Sequence, residues 1–222
     1  SALNLPNALT GQNGEHGTSI FAAGVAGLYL LKYWMACDGV PGFALDMLTT
    51  HHVSLHGATV TYLITCETEE QTRTNVLHMK AALRILGYKL TSIDSTNETF
   101  CLKRNGYTLK VYHKTDFSHC VFANEEVAET IKARARCIIR IEVEMQGHYL
   151  RQRGWDALES WRKAYAEGRY ELIFRELVRS LFHLETVRKG VIRPGVILRH
   201  KAPRKEVIER LTDTERTIVL DY

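Results

Sequence analysis

The sequence predicts an α+β domain: a central antiparallel or mixed sheet with helices on one face, followed by further helices. Three observations carry this expectation. Residues 137–145 alternate Ile139, Ile141 and Val143 with Arg140, Glu142 and Glu144, the period of a half-buried strand. Residues 99–104 and 107–114 are strand-like and flank Asn105-Gly106, a tight-hairpin dipeptide. Strand-like and helix-like stretches succeed one another as β-α-β-α-β-β-α-β before the pattern turns helical, as in a sheet with helices laid over it.

Each element has a local reason. Residues 2–5 resemble the end of a strand stopped by Pro6, and T-G-Q-N-G-E-H-G (10–17) is a glycine-rich loop. Thr18 caps a helix to about residue 37, whose Ala22, Ala23, Gly24, Ala26 and Gly27 suit a close approach to a sheet. D-G-V-P-G (38–42) breaks the chain. Residues 52–66, rich in Val, Thr, Leu and Tyr, predict one long strand. Thr68 with Gln71 resembles a capping box for a helix over 69–86, with Val76, Leu77, Met79, Ala82, Leu83 and Leu86 at helical spacing. Asn124 caps a helix over 125–134, and helical patterns follow over 147–153, 155–166 and 168–184. Trp155, Trp161, Tyr165, Tyr170, Phe174 and Phe182 are spaced for packing between these helices and the sheet, more than for stacking bases.

Composition narrows the function. The 222 residues exceed one typical domain of about 150. Residues 1–145 read as the sheet domain, 146–184 as a helical continuation and 185–222 as a basic extension. The charged fraction, 24%, and the hydrophobic fraction, 45%, are those of a globular chain. A net charge of +4 excludes a uniformly basic nucleic-acid coat. The charge is nevertheless segregated: residues 1–100 hold 5 basic and 8 acidic side chains, residues 101–222 hold 24 and 17. An anionic partner for the second half follows. Five widely spaced cysteines without a C-x-x-C pair argue against a disulfide framework or zinc finger, and for a reducing compartment. The apolar run 18–31 stops at Lys32, too short for a bilayer, and has neither a basic lead nor a cleavage site, so the expectation is a soluble, cytoplasmic protein without a membrane partner.

Candidate site residues come from strand faces. His52, Ser54 and His56 share a face of their expected strand, but residues four apart on a strand lie about 13 Å from each other, so only one histidine joins a given metal. His56 is either that ligand or a buried, hydrogen-bonded histidine. Lys110, Tyr112 and Lys114 share a face. Ammonium groups beside a phenol favour phenolate and hold phosphate, the chemistry of a tyrosine nucleophile. The plain alternative is a half-exposed tyrosine between two snorkelling lysines. Arg140 and Glu142 form a salt bridge, or Glu142 serves a metal.

Four segments together resemble the replication initiators of filamentous phages and related plasmids, the gene-two and gene-X protein family: L-N-L-P-N-A-L-T-G-Q-N (3–13), H-V-S-L-H-G-A-T-V-T-Y (52–62), L-K-V-Y-H-K-T-D (109–116) and R-C-I-I-R-I-E-V-E-M (136–145) with H-Y-L-R-Q-R-G (148–154). The resemblance runs from residue 3 to about 185. It implies a rolling-circle nickase with an HUH-type endonuclease fold, which cuts one strand of an origin through a 5′-phosphotyrosine and leaves a 3′-OH primer. Carried over, Tyr112 is the nucleophile, Lys114 its cationic partner, and His56, Glu142 and Gln12 the site for Mg²⁺ or Mn²⁺. Gln12 stands where the family has the histidine of G-H-N, with His16 four residues on, and Leu-His-Gly replaces an R-I-D-like core. Lys110, Arg140, Arg151, Arg153, Lys201 and Arg204 would hold DNA. The implied partners are single-stranded or hairpin origin DNA, with a host helicase and polymerase as further candidates. The same departures support a second reading, a non-catalytic origin- or single-strand-binding protein with a decayed metal site. A third reading is an interaction module whose basic helices bind an acidic protein, although Glu159, Glu167, Glu171 and Glu176 pair off part of that charge.

Overall fold

A five-stranded, wholly antiparallel sheet forms the centre, in the order β1-β5-β4-β3-β2. Its strands are β1 (Gly57–Thr65), β2 (Thr91–Ser92), β3 (Thr99–Arg104), β4 (Tyr107–His113) and β5 (Ile138–Gln146). The structure is a computed structural model and describes residues 19–92, 99–115, 117 and 122–182. The strand expected over 2–5, Gln12, His16, Lys201, Arg204 and the 185–222 extension lie outside the described residues.

Alternation sorts the sheet into two faces. Ile139, Ile141, Val143 and Met145 of β5 and Tyr107, Leu109 and Val111 of β4 point to one side and are buried with Val60, Phe100 and Leu102. The intervening residues of β4 and β5 are Thr108, Lys110 and Tyr112, and Arg140, Glu142 and Glu144, which form a polar face. Asn105-Gly106 closes the hairpin as expected, with Gly106 at φ 89°, a conformation glycine adopts without steric cost.

The α-helices among the described residues are α1 (Ile20–Cys37), α2 (Gly42–Met47), α3 (Glu69–Ile85), α4 (Glu125–Arg136), α5 (Gly147–Gln152) and α6 (Arg169–Ile173). Capping side chains set their starts. Thr68 Oγ1 accepts from the Gln71 amide at 3.1 Å and Asn124 Oδ1 from the Val127 amide at 2.9 Å. In α1 the cap is Ser19, whose Oγ accepts from the Ala22 amide at 3.1 Å. Val76, Met79 and Leu83 of α3 join the sheet core. So do Leu150, Trp155, Trp161, Ile173, Leu177, Leu181 and Phe182, which places the segment after β5 on the same hydrophobic core as the sheet.

Several expectations fail for identifiable reasons. The long strand over 52–66 is only Gly57–Thr65. Residues 53–55 pair instead with the segment after α5: the Leu55 amide donates to the Asp156 carbonyl at 2.6 Å and the Leu158 amide to the Val53 carbonyl at 3.0 Å. The helix over 155–166 is a single 3₁₀ turn, Leu158–Trp161, and the segment after α6 runs on in π and 3₁₀ turns from Phe174 to Phe182. Apolar periodicity there reflects aromatic packing: Trp161 Nε1 donates to the Trp155 carbonyl at 2.7 Å, and the two rings stack edge-on at 5.9 Å. Tyr165 departs from the aromatic core altogether and is 88% exposed.

The apolar run of α1 does not stop at Leu31. The helix continues through Lys32 to Cys37, and at 18 residues with a mean hydropathy of 1.5 it is long and apolar enough to cross a membrane by length and composition. Its amino-terminal half docks on the domain: Ile20 and Phe21 pack against the core, and the Arg162 guanidinium lies 4.7 Å from the Phe21 ring. Gly24 meets Leu158, a fully buried side chain on the 3₁₀ turn, rather than the sheet expected to receive the small-residue stripe. Tyr29, Tyr33 and Trp34 in the other half are exposed.

Two substitutions test this packing. Ile141→Ala removes a fully buried side chain at the centre of β5. It is expected to cost about 2–5 kcal/mol, seen as a lower denaturant midpoint at unchanged slope. Gly24→Ala would set a methyl 2.7 Å from Leu158 Cδ2. It is expected to cost about 1–3 kcal/mol and to speed proteolytic cleavage within α1.

Candidate functional site

The polar face of the sheet gathers more of the expected site residues than any other part of the described structure. Its geometry follows from register. Across the sheet, Leu63, Arg140, Tyr112 and Thr99 form one row, and Thr61, Glu142, Lys110 and Cys101 the next. Strand twist turns direct neighbours into diagonal ones. Tyr112 donates its phenolic hydrogen to Glu142 Oε1 at 2.7 Å and is also hydrogen-bonded by the Arg140 side chain. Lys110 passes Glu142 in the same sense and pairs with Glu144 Oε2 at 2.9 Å.

Exposure grades across this face. Thr59, Thr61, Leu63 and Glu144 are open to solvent, whereas Thr99, Cys101 and Arg140 are buried. Tyr112, Lys110 and Glu142 stand half-buried at the boundary. A phenol there is partly desolvated yet reachable from the β1 side.

The electrostatics differ from the sequence expectation. Burial first, then the charge and hydrogen bond of Glu142, push the Tyr112 phenol well above its ordinary value, with Arg140 opposing. The phenol is therefore held protonated, with an adjacent carboxylate to take its proton. Lys110 is held protonated by its bond to Glu144. The Cys101 thiol is pushed up by burial, with Lys110 opposing.

The other expected residues are placed as follows. Lys114 lies just beyond β4, its ammonium 5.3 Å from the Phe117 ring centroid. The cation beside Tyr112 is Arg140, its register partner. His56 is exposed and precedes β1, five residues from Thr61, the partner of Glu142. That is roughly 16 Å of extended chain. His52 sits in the 3₁₀ turn Thr50–His52, where its Nδ1 is 3.0 Å from Thr49 Oγ1 and accepts from the Thr49 amide at 3.2 Å. His56 and Glu142 thus do not fit a shared Mg²⁺ or Mn²⁺, and among the described residues no group of three or more His, Cys, Asp or Glu is arranged to hold a metal. Arg151 is exposed on α5. Arg153 is ion-paired with Glu176 at 2.8 Å and packs over Tyr149 and Trp155 at 5.3 and 5.6 Å, so its charge is partly spent within the fold.

Thr99 and Cys101 complete the two rows, and the Asn105-Gly106 turn sets them opposite Tyr112 and Lys110 by counting outward from the hairpin. Arg140 as the neighbour of Tyr112 had no such local signal, because β4 and β5 are joined through a helix. No family model, curated protein or solved structure matches this chain.

A difference titration checks the phenol. Absorbance of wild type minus Tyr112→Phe is expected to show phenolate forming only above the ordinary tyrosine value near 10, and Glu142→Gln to bring that transition down by removing two of its causes. Because the folded phenol keeps its proton where the unfolded one releases it, the contribution of Tyr112 to stability is present below pH 10 and declines above it.

Proposed function

We propose that the chain nicks and rejoins a DNA strand, with Tyr112 as nucleophile and Glu142 as the base that receives its proton. The observation that carries this reading is the 2.7 Å hydrogen bond from the Tyr112 phenol to Glu142 Oε1 on a sheet face where Arg140 is the register partner of Tyr112. The likeness of four ordered segments to rolling-circle initiators supplies the substrate class.

Tyr112 Oη attacks the phosphorus of a phosphodiester while its proton passes to Glu142. The bond from phosphorus to O3′ breaks, the 5′-phosphate stays esterified to Tyr112, O3′ takes a proton from solvent water to leave as a free hydroxyl, and Glu142 returns its proton to solvent. Rejoining is the reverse. Arg140 offsets charge on the non-bridging oxygens as it develops. A raised phenol pKa makes the base necessary, because little phenolate exists near neutrality. No step is routed through a metal ion, since His56 and Glu142 do not fit one.

That misfit favours a second reading, a single-strand- or origin-binding protein without nicking activity. Its affinity would fall steeply with salt and ignore divalent ions.

One experiment separates the two. Wild type is incubated with labelled single-stranded and cruciform oligonucleotides, with Mn²⁺, Mg²⁺ or a chelator, and run on a denaturing gel. The expected result is a covalent adduct that is abolished in Tyr112→Phe and formed about 10²–10⁴-fold more slowly in Glu142→Gln. Salt-sensitive binding with no adduct under any condition replaces the first reading by the second. An adduct that persists in Tyr112→Phe removes Tyr112 as nucleophile.

A further inference from the structure

The seam between β1 and β5 ends in two cysteines. Thr65 and Ile138 are the last register partners of these strands. One step further along the same register come Cys66 and Cys137, and the Cys66 amide donates to the Cys137 carbonyl at 2.7 Å. Directly opposed residues of antiparallel strands have Cα atoms about 4.5–5.5 Å apart. A disulfide closes across roughly 4.4–6.8 Å. Both residues are half-buried free thiols, accessible to a small reagent without unfolding. Each is also held in place. Cys66 Sγ accepts from Asn75 Nδ2 of α3 at 3.6 Å, and the Cys137 amide caps α4 by donating to the Arg134 carbonyl at 3.0 Å. The other described cysteines are placed differently: Cys37 ends α1, and Cys101 faces Lys110 from β3.

We infer that Cys66 and Cys137 form a reversible thiol pair that closes to a cross-strand disulfide when a low-molecular-weight disulfide such as oxidised glutathione is present. One cysteine thiolate attacks the glutathione disulfide, forming a mixed disulfide and releasing one glutathione thiol. The second cysteine then attacks the protein sulfur of that mixed disulfide and expels the other glutathione. Two protein thiols become one disulfide, one glutathione disulfide becomes two thiols, and the two thiol protons go to the released glutathiones. The new bond staples the end of β1 to the start of β5, three residues before Arg140. Register alone supports it, so it stands apart from the nicking reaction.

The test uses the full chain, folded, in graded mixtures of reduced and oxidised glutathione. Remaining thiols are alkylated and the digest is mapped without reduction. The expected product is a peptide pair joined through Cys66 and Cys137, lighter by two hydrogens than its reduced form. A rise in Tm of about 5 °C or more should accompany it, because the bond closes a long loop. The rise should vanish in Cys66→Ser and Cys137→Ser. The triple variant Cys37→Ser/Cys101→Ser/Cys120→Ser keeps only the proposed pair and is expected to oxidise over the same range as wild type, which makes the test independent of how well the single variants fold. The inference is overturned if Cys66 and Cys137 in wild type are recovered alkylated, as separate glutathione adducts, or joined to other cysteines.

Discussion

The sheet and its two faces depend on the antiparallel pairing of β5 between β1 and β4. A strand with partners on both edges satisfies all its backbone donors and acceptors through neighbours distant in sequence. The side chains of β5 then serve two purposes at once. Ile139, Ile141, Val143 and Met145 fill the core, and Arg140, Glu142 and Glu144 form the middle of the polar face. A slip of one residue would exchange the two sets and turn Arg140, Glu142 and Glu144 into the apolar core, so the burial that stabilises the fold also sets the register of the site.

The core side is closed by aromatic packing more than by regular helices. Trp155, Trp161 and Tyr170 follow one another with ring centroids 5.9 Å apart at each step, and Arg169 lies 5.2 Å from both tryptophan rings. The Tyr62 hydroxyl reaches from β1 to the Tyr170 carbonyl at 2.5 Å, tying the sheet to this layer. Bulky rings that must meet both the sheet and one another leave little freedom for a uniform helix. The chain therefore turns in short 3₁₀, α and π segments between Leu158 and Phe182.

Several charges of the second half are answered by a neighbour: Lys110 by Glu144 on the polar face, and Arg153 by Glu176 and Arg162 by Glu159 in the segment after β5. The basic excess of the second half is thereby reduced at several positions that a charge count alone would offer to DNA. Tyr112 and Glu142 form a different kind of contact. There a neutral donor meets a carboxylate at the edge of burial, and the low local polarity raises the cost of phenolate while strengthening the hydrogen bond. Proton transfer, rather than a standing negative charge, is what such a pair supports.

Local chemistry was legible in the sequence. The Asn105-Gly106 hairpin, the alternation of β5 and the caps at Thr68 and Asn124 depend on residues within a few positions of one another, and each stands where the residues indicated. From the hairpin and the alternation the polar face and Tyr112 could be named, with Glu142 on a second strand. Three features depended on contacts between distant segments. The stretch carrying His52 and His56 left the expected strand because its backbone found partners at residues 156–158. Arg140 stands beside Tyr112 because β4 pairs with β5 across an intervening helix. Cys66 and Cys137, which carry no signal of a pair in sequence, are joined by a backbone hydrogen bond because β1 and β5 are neighbours. Propensity and periodicity act over one turn or one hairpin. The choice of which strand edges meet is made by burying a shared core, and that is decided only in three dimensions.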